Sequence, residues 1–424
     1  MRTSGTTSAS VGQSVLERFK RYAEVYTTSA EGVDAHPSTE RQMDLLKLLA
    51  DELEELGLVN IDLDPAGCLY GTLPSNSELP VTPITWLAHV DTSPEQPGEN
   101  VVPVLHFNWD GSPITFSDNP DLTLTVKDSP ELTDHIGDTI ITASGRTLLG
   151  ADNKAGIAEI MAALQEFSKY PELPHGEIRV CFDCDEEIGR AVPPIDLARL
   201  TEVCYTVDGS RPGEVESECF WAKRADLVFK GNGVHPGYGF GKLVNASTAM
   251  AAFLRRLPRN ELPETTKDRE DFYYVHECSG GCEQARLSVL LRDFDQKVVE
   301  TRAQRIKEWA AETEAEIPGL VIEVQIKDQY PNMIEYFKGH ERVIEIACEA
   351  TRAVGLEVRD KPIRGGTVGS QLSAQGHPCP NLGAGGMMFH SLREWIALRS
   401  MIDVTELLIT LAELWVREAE KQTA

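Results

Sequence analysis

Apolar positions recur along the chain in two rhythms. Leu45, Leu46, Leu48, Leu49, Leu53 and Leu56 recur with helical spacing, and Gly57 stops that helix. His36-Pro37-Ser38-Thr39-Glu40 opens it, with Ser38 as the expected cap and Gln42 near the reach of a capping box. Val15–Tyr26 predicts an amphipathic helix before it. Val59–Leu63 and Leu69–Leu73 read as a hairpin turned at Pro65-Ala66-Gly67. Ile84–Val90, Ile178–Phe182 and Val203–Val207 are apolar runs of the kind that buried strands show. A helix over Ile157–Ser168 falls between the first two, so strands alternate with helices and predict an α/β sheet. The Pro-, Asp- and Gly-rich stretch from Asp91 to Thr147 is a long excursion inside that domain, and such excursions are often functional.

The pattern changes after Gly209. Strands at Phe220–Lys230, Arg286–Asp293 and Val321–Asp328 alternate with helices at Asn245–Leu257 and Gln296–Ile317. They predict a smaller α/β domain over residues 215–329, inserted into a larger one over 14–214 and 330–424. The larger pattern then resumes with a helix at Glu341–Val354, a Gly-rich loop at Ile363–Ser370 and a last helix at Ser391–Lys421.

Composition narrows the partners. In 424 residues, 41% of them hydrophobic, there is ample material for two cores. A net charge of −27 argues against nucleic acid and anionic membranes. No apolar run approaches the ~18 residues of a membrane span. Met1–Gln13 is rich in Ser, Thr and Gly without an apolar segment, and reads as a disordered tail rather than a signal peptide. Nine scattered cysteines read as reduced thiols in the cytoplasm. Cys181 and Cys184 form a CxxC along a strand with no second pair, which argues against redox chemistry or structural zinc. Cys278 and Cys282 flank Ser279-Gly280-Gly281 in an expected loop.

The chemistry collects at strand ends. Asp185-Glu186-Glu187 follows the Ile178–Phe182 run, and three adjacent acids at the mouth of a buried strand repel unless a cation or water attends them. Three other strand ends carry similar groups: His89-Val90-Asp91, Gly150-Ala151-Asp152-Asn153 and Val207-Asp208. His390 lies far downstream. Singly these have ordinary readings, namely core histidines, a helix cap at Asp152, solvated glutamates and a turn at Asp208. Together they form an oxygen and imidazole set suited to two divalent metals.

These segments, with Val234-His235-Pro236-Gly237, Ile363-Arg364-Gly365-Gly366-Thr367 and Pro378-Cys379-Pro380-Asn381-Leu382-Gly383, resemble the peptidase T family. Those are the aminotripeptidases of the dinuclear-zinc metallopeptidases, which include carboxypeptidase and aminoacylase relatives. The likeness runs from about Tyr22 to about Leu411. It implies a zinc-peptidase α/β domain with a mixed central sheet, interrupted by an α/β lid that pairs two subunits into a homodimer. It implies two Zn2+ per subunit, with Asp152 bridging, His89 and Asp208 completing one metal, and Glu187 and His390 the other. Asp91 would orient His89, and Glu186 would take a proton from the bridging water and pass it to the leaving amine. A cis peptide is implied at Asp152–Asn153. His235 would reach an active site as an oxyanion or carboxylate contact, in the family's pattern that of the partner. Arg292, Asn332 and Arg364 are substrate-contact candidates, and Lys154 and Glu394 stand next to the ligands. The substrates implied are short peptides, tripeptides above all. Asn153 departs from the family, where an acid is usual, as do Val368, again an acid in relatives, and the surroundings of Met387. These departures leave open a related hydrolase of another amide, a C-terminal residue or an N-acyl group, and a non-catalytic binding protein of the same fold.

Overall fold

The structure is a computed structural model that describes residues 6–423. Two compact units emerge. One comprises the chain up to Ser217, Tyr336–Lys361 and the chain from Thr367; the other comprises Glu218–Glu335 with Pro362–Gly366.

The first unit opens with α1 (Thr6–Glu24), α2 (Gln42–Glu55), the hairpin β1 (Val59–Leu63) and β2 (Leu69–Leu73), and β3 (Ile84–His89). Short strands β4 (Val104–His106), β5 (Ile114–Phe116), β6 (Asn119–Leu124) and β7 (Ile140–Thr142) fill the long excursion. Then come α3 (Ala151–Lys169), β8 (Ile178–Asp183), β9 (Val203–Gly209) and β10 (Val215–Glu216). The second unit is β11 (Trp221–Lys230), α4 (Ala246–Leu254), β12 (Phe272–Gly280), β13 (Gln284–Asp293), α5 (Gln296–Glu316) and β14 (Val321–Tyr330). The chain finishes in the first unit with α6 (Glu341–Ala353), α7 (Val368–Ala374), β15 (Asn381–Gly383), β16 (Gly386–Met387), β17 (Trp395–Ala397) and α8 (Leu398–Thr423).

The first unit's main sheet has the order β1-β2-β8-β3-β9-β15-β10. β8, β3, β9 and β15 run parallel, while β1, β2 and β10 are antiparallel to their neighbours, so the sheet is mixed. Every residue of β3 is buried, as the unbroken apolar run requires. In register, His89 faces Asp183 on β8 and Ile84 faces Val203 on β9, so three strands end along one edge. Helix α3 packs very close to β9. A Cβ at Gly156 would stand 2.0 Å from the Val207 carbonyl oxygen, so only glycine allows this approach, and it draws the start of α3 toward Asp208. A second sheet, β16-β17-β7-β4, closes over Trp109, Leu124 and Trp395.

The second unit is an antiparallel sheet of order β12-β13-β11-β14. Leu227, Phe229, Leu287, Val289 and Leu291 form one core with Phe253 of α4 and Ile306 and Trp309 of α5. No helix among the described residues is long and apolar enough to cross a membrane.

Several expectations need correction. Residues 6–13 are helical rather than a tail, because Val11, Val15, Phe19 and Tyr22 bury one stripe and α1 packs on α3 and α8; Met1–Gly5 lie outside the described residues. Ser38 does not cap α2, which starts at Gln42, since its hydroxyl is donated to Asp185. Cys278 lies in a strand, β12, rather than a loop. The Gly-rich stretch ends in α7 at Val368, and Trp395–Ala397 is a strand pairing with β7 rather than the start of the last helix.

Candidate metal centre

Asp152 stands between two imidazoles. Its Oδ1 lies 3.1 Å from His89 Nε2, and its Oδ2 lies 3.4 Å from His390 Nε2. Asp208, at the end of β9, reaches the same His89 nitrogen at 3.2 Å. Glu187 reaches His390 Nε2 at 2.8 Å. Ligand atoms of His89, Asp152 and Glu187 all lie within 4.8 Å of one another, as do those of His89, Glu186 and Asp208. Six side chains from β3, α3, the loop after β8, β9 and the loop before β17 thus meet at one sheet edge.

Each is held in place. His89 Nδ1 faces the Asp91 carbonyl oxygen at 3.1 Å and its Oδ1 at 3.3 Å, which directs Nε2 into the cluster. The Asp91 carboxylate also accepts from the backbone amides of Glu186 (3.0 Å) and Glu187 (3.2 Å). Glu394 accepts from the amides of Leu149, Gly150 and Asp152 at 2.7, 2.8 and 3.1 Å, tying down the turn into α3. Gly150 adopts φ +78° there, a conformation that favours glycine. The Asp152–Asn153 peptide is cis. Lys154, buried, donates to the Val25 carbonyl at 2.7 Å.

Crowded, buried acids hold their protons. Burial pushes Glu187 up to about 8, aided by Asp152 and opposed by His390. Burial raises Asp208 to about 6 against His89, and Glu394 to about 7 against the amides it accepts from. Burial also drives Glu186 well above the carboxylate range, with His89 opposing. Burial resists charge on His89, yet Asp208, Asp152 and Asp91 hold it well above its ordinary value. Hydrogen bonds to Asp152 and Glu187 hold His390 up to about 11. Asp152 moves the other way: burial is outweighed by His390 and His89, which hold it well below its ordinary value.

A pH dependence follows. Above about pH 4.5 the unfolded chain has released carboxyl protons that Glu187, Asp208 and Glu394 still hold when folded, so metal-free stability falls as pH rises. Raised histidines act with the same sign above about pH 6.5. Lys154, lowered by burial to about 7, acts oppositely above that value. The Tm of chelator-treated protein is therefore expected to fall between about pH 5 and 7, and added zinc to raise it more at the upper end, where ligands deprotonate readily. A metal-free Tm that rises with pH over this window would contradict these shifts.

The substrate-contact candidates lie in the second unit. His235 Nδ1 accepts from the Gly237 amide at 3.2 Å. Arg292 is buried, donates to the carbonyls of Lys223 and Leu291, and stacks over Tyr330. Asn332 accepts from the amides of Cys219 and Ile334 and donates to the Phe294 carbonyl. Arg364 donates to the carbonyls of Asp268 and Glu270 and to the Thr266 hydroxyl. Val368 is buried in an apolar cluster with Leu372, Cys204 and Cys379. Asn381 carries no sequence signal of a role, yet its Oδ1 accepts from the Asp208 amide at 3.1 Å and its Nδ2 donates to Glu216 at 2.7 Å. No local pattern announces that bridge between neighbouring strands.

Residues 150–414 match the profile of the peptidase family M20/M25/M40. Peptidase T of Geobacillus sp. (strain WCH70) is 42% identical over 406 residues, spanning 96% of this chain and 99% of that protein. The chain belongs to the M20/M25/M40 peptidases. The solved structure of aminopeptidase PepT from Bacillus cereus ATCC 10987 superposes with a TM-score of 0.74 at 21% identity, covering 96% of this chain and 99% of that one. A dinuclear metal binding peptidase of the M20 family from Bacillus subtilis, YXEP, superposes with a TM-score of 0.65 at 14% identity, covering 96% and 98%. As an M20/M25/M40 peptidase the chain is a hydrolase, and the sheet edge described above brings together side chains that could hold a metal ion.

Proposed function

We propose that this peptidase is an aminopeptidase that removes the N-terminal residue of short peptides, tripeptides above all, and that it uses two zinc ions. The observation carrying this reading is Asp152, whose two oxygens address different histidines. The donor set suits zinc, being imidazole nitrogen and carboxylate oxygen throughout. The buried Oε1 of Glu187 has no hydrogen-bond partner, so a cation would satisfy it. His89 and Asp208 would hold one ion, Glu187 and His390 the other, and Asp152 both.

Bound zinc supplies Lewis acidity that polarises the scissile carbonyl and acidifies water. Asp91 keeps the His89 proton on Nδ1, leaving Nε2 free to ligate. Glu186 accepts the proton of the attacking water and returns it to the departing amine. His235, with Nδ1 occupied by the Gly237 amide, offers Nε2–H to an oxyanion in the partner's site. Arg292, Asn332 and Arg364 are substrate contacts in this reading. We read the enzyme as a cytoplasmic homodimer joined through that unit; nine free thiols and the exposed edge strand β12 support this.

A panel of tripeptides with free or acetylated N-termini tests the reading. Cleavage of the first peptide bond is expected only with the free amine, whereas release of C-terminal residues or acyl groups would replace the aminopeptidase by another amide hydrolase.

A further inference from the structure

The loop carrying Glu186 and Glu187 is held from two sides. Asp91 takes their backbone amides, as described. On the other side stands Asp185, fully buried. Its Oδ2 meets His36 Nδ1 and accepts from the Ser38 amide, both at 2.8 Å. Its Oδ1 accepts from the Ser38 hydroxyl at 2.5 Å and from Gln42 Nε2 at 2.7 Å. Gln42 Oε1 accepts in return from the Asp185 amide at 3.0 Å. The Asp185 carboxylate is thus satisfied by a segment, residues 36–42, that lies 143 to 149 residues earlier in the chain.

The backbone explains why such anchoring is needed. Asp185 has φ +62°, in the left-handed region that non-glycine residues seldom occupy. Along a strand, successive side chains point to opposite faces. A left-handed residue at the end of β8 breaks that alternation, and the consecutive Glu186 and Glu187 both bring an oxygen to His89. Sparsely populated conformations persist only where surrounding contacts over-determine them, and here five hydrogen bonds to Ser38, Gln42 and His36 do so.

We propose that Asp185, Ser38 and Gln42 are positioning residues that together set where Glu186 and Glu187 stand. None of them belongs to the ligand set; they act through the loop. The inference rests on the reading of Glu187 as a ligand and Glu186 as the proton carrier.

The test compares wild type with Ser38→Ala/Gln42→Ala, Ser38→Thr and Asp185→Asn. Zinc affinity is measured by competition with a chromophoric chelator, and kcat and KM for a tripeptide at saturating zinc. The double variant is expected to bind zinc about 10–100-fold more weakly and to lose kcat by a similar factor, with KM nearly unchanged, the range seen when groups supporting metal ligands are removed. Asp185→Asn, which tolerates the left-handed backbone but turns an amide toward its former donors, should behave alike. Ser38→Thr, which keeps the hydroxyl, should stay near wild type. Wild-type zinc affinity and kcat in the double variant would overturn the proposal, as would a loss that Ser38→Thr shares. Should the double variant fail to fold, Ser38→Ala alone decides on the same two readouts. If wild type cleaves no tripeptide, the functional reading fails, while zinc affinity still decides on the clamp.

Discussion

Glu186→Gln is expected to lower tripeptide turnover by about 10²–10⁴-fold while leaving the bound metal at its wild-type level. Glutamine keeps the shape of the side chain and one acceptor oxygen, but it cannot take up a proton from water. Burial raises the Glu186 carboxyl well above the carboxylate range, with His89 opposing and Asp208, Glu187 and Asp91 adding to the rise, so its affinity for a proton is increased. KM should change little, because the interaction lost is one made in the transition state. Metal content decides between two roles. Glu186 also shares a potential ligand group with His89 and Asp208. Turnover lost together with an ion would make it a ligand; turnover kept would remove it from the chemistry.

Asp152→Asn has the other large expected effect: loss of both ions and of activity to background. Its two oxygens lie at 3.1 Å and 3.4 Å from different histidines, one oxygen to each. Asparagine keeps one oxygen, loses the charge, and turns an N–H toward one of the two imidazoles. Removing groups that merely support ligands costs about 10–100-fold in metal affinity, so removing the shared ligand should cost more. The variant should also be less stable without metal at neutral pH. The Asp152 carboxyl is held well below its ordinary value, so its contribution is present above the unfolded pKa and disappears only as pH falls. Metal analysis and thermal unfolding after chelation check both statements; a variant that keeps one tightly bound ion per chain would limit Asp152 to a single metal.

Much of this was legible in the chain. β3, β8 and β9 announce themselves because both faces are buried, so their apolar runs are unbroken and the polar residue ending each run stands out. The candidate groups His89, Glu186, Glu187 and Asp208 were legible for that reason. β12 was not, because it is an edge strand with mostly exposed side chains ending in Ser279-Gly280, which local pattern cannot tell from a loop. β17 spans only Trp395–Ala397 and exists by pairing with β7 far back in the chain. Residues 6–13 lack a local helix signature, and α1 is held by packing on α3 and α8. Arg292, Asn332 and Arg364 show the same limit: sequence displays donors but not the carbonyls and amides that engage them. Asp185 is the extreme case, since its anchors lie 143 to 149 residues away.

The most direct measurement is diffraction at the zinc absorption edge from crystals grown with zinc. The account predicts two anomalous peaks flanking the Asp152 carboxylate, one beside His89 and Asp208 and one beside Glu187 and His390. A single peak, or none at this sheet edge, would contradict it.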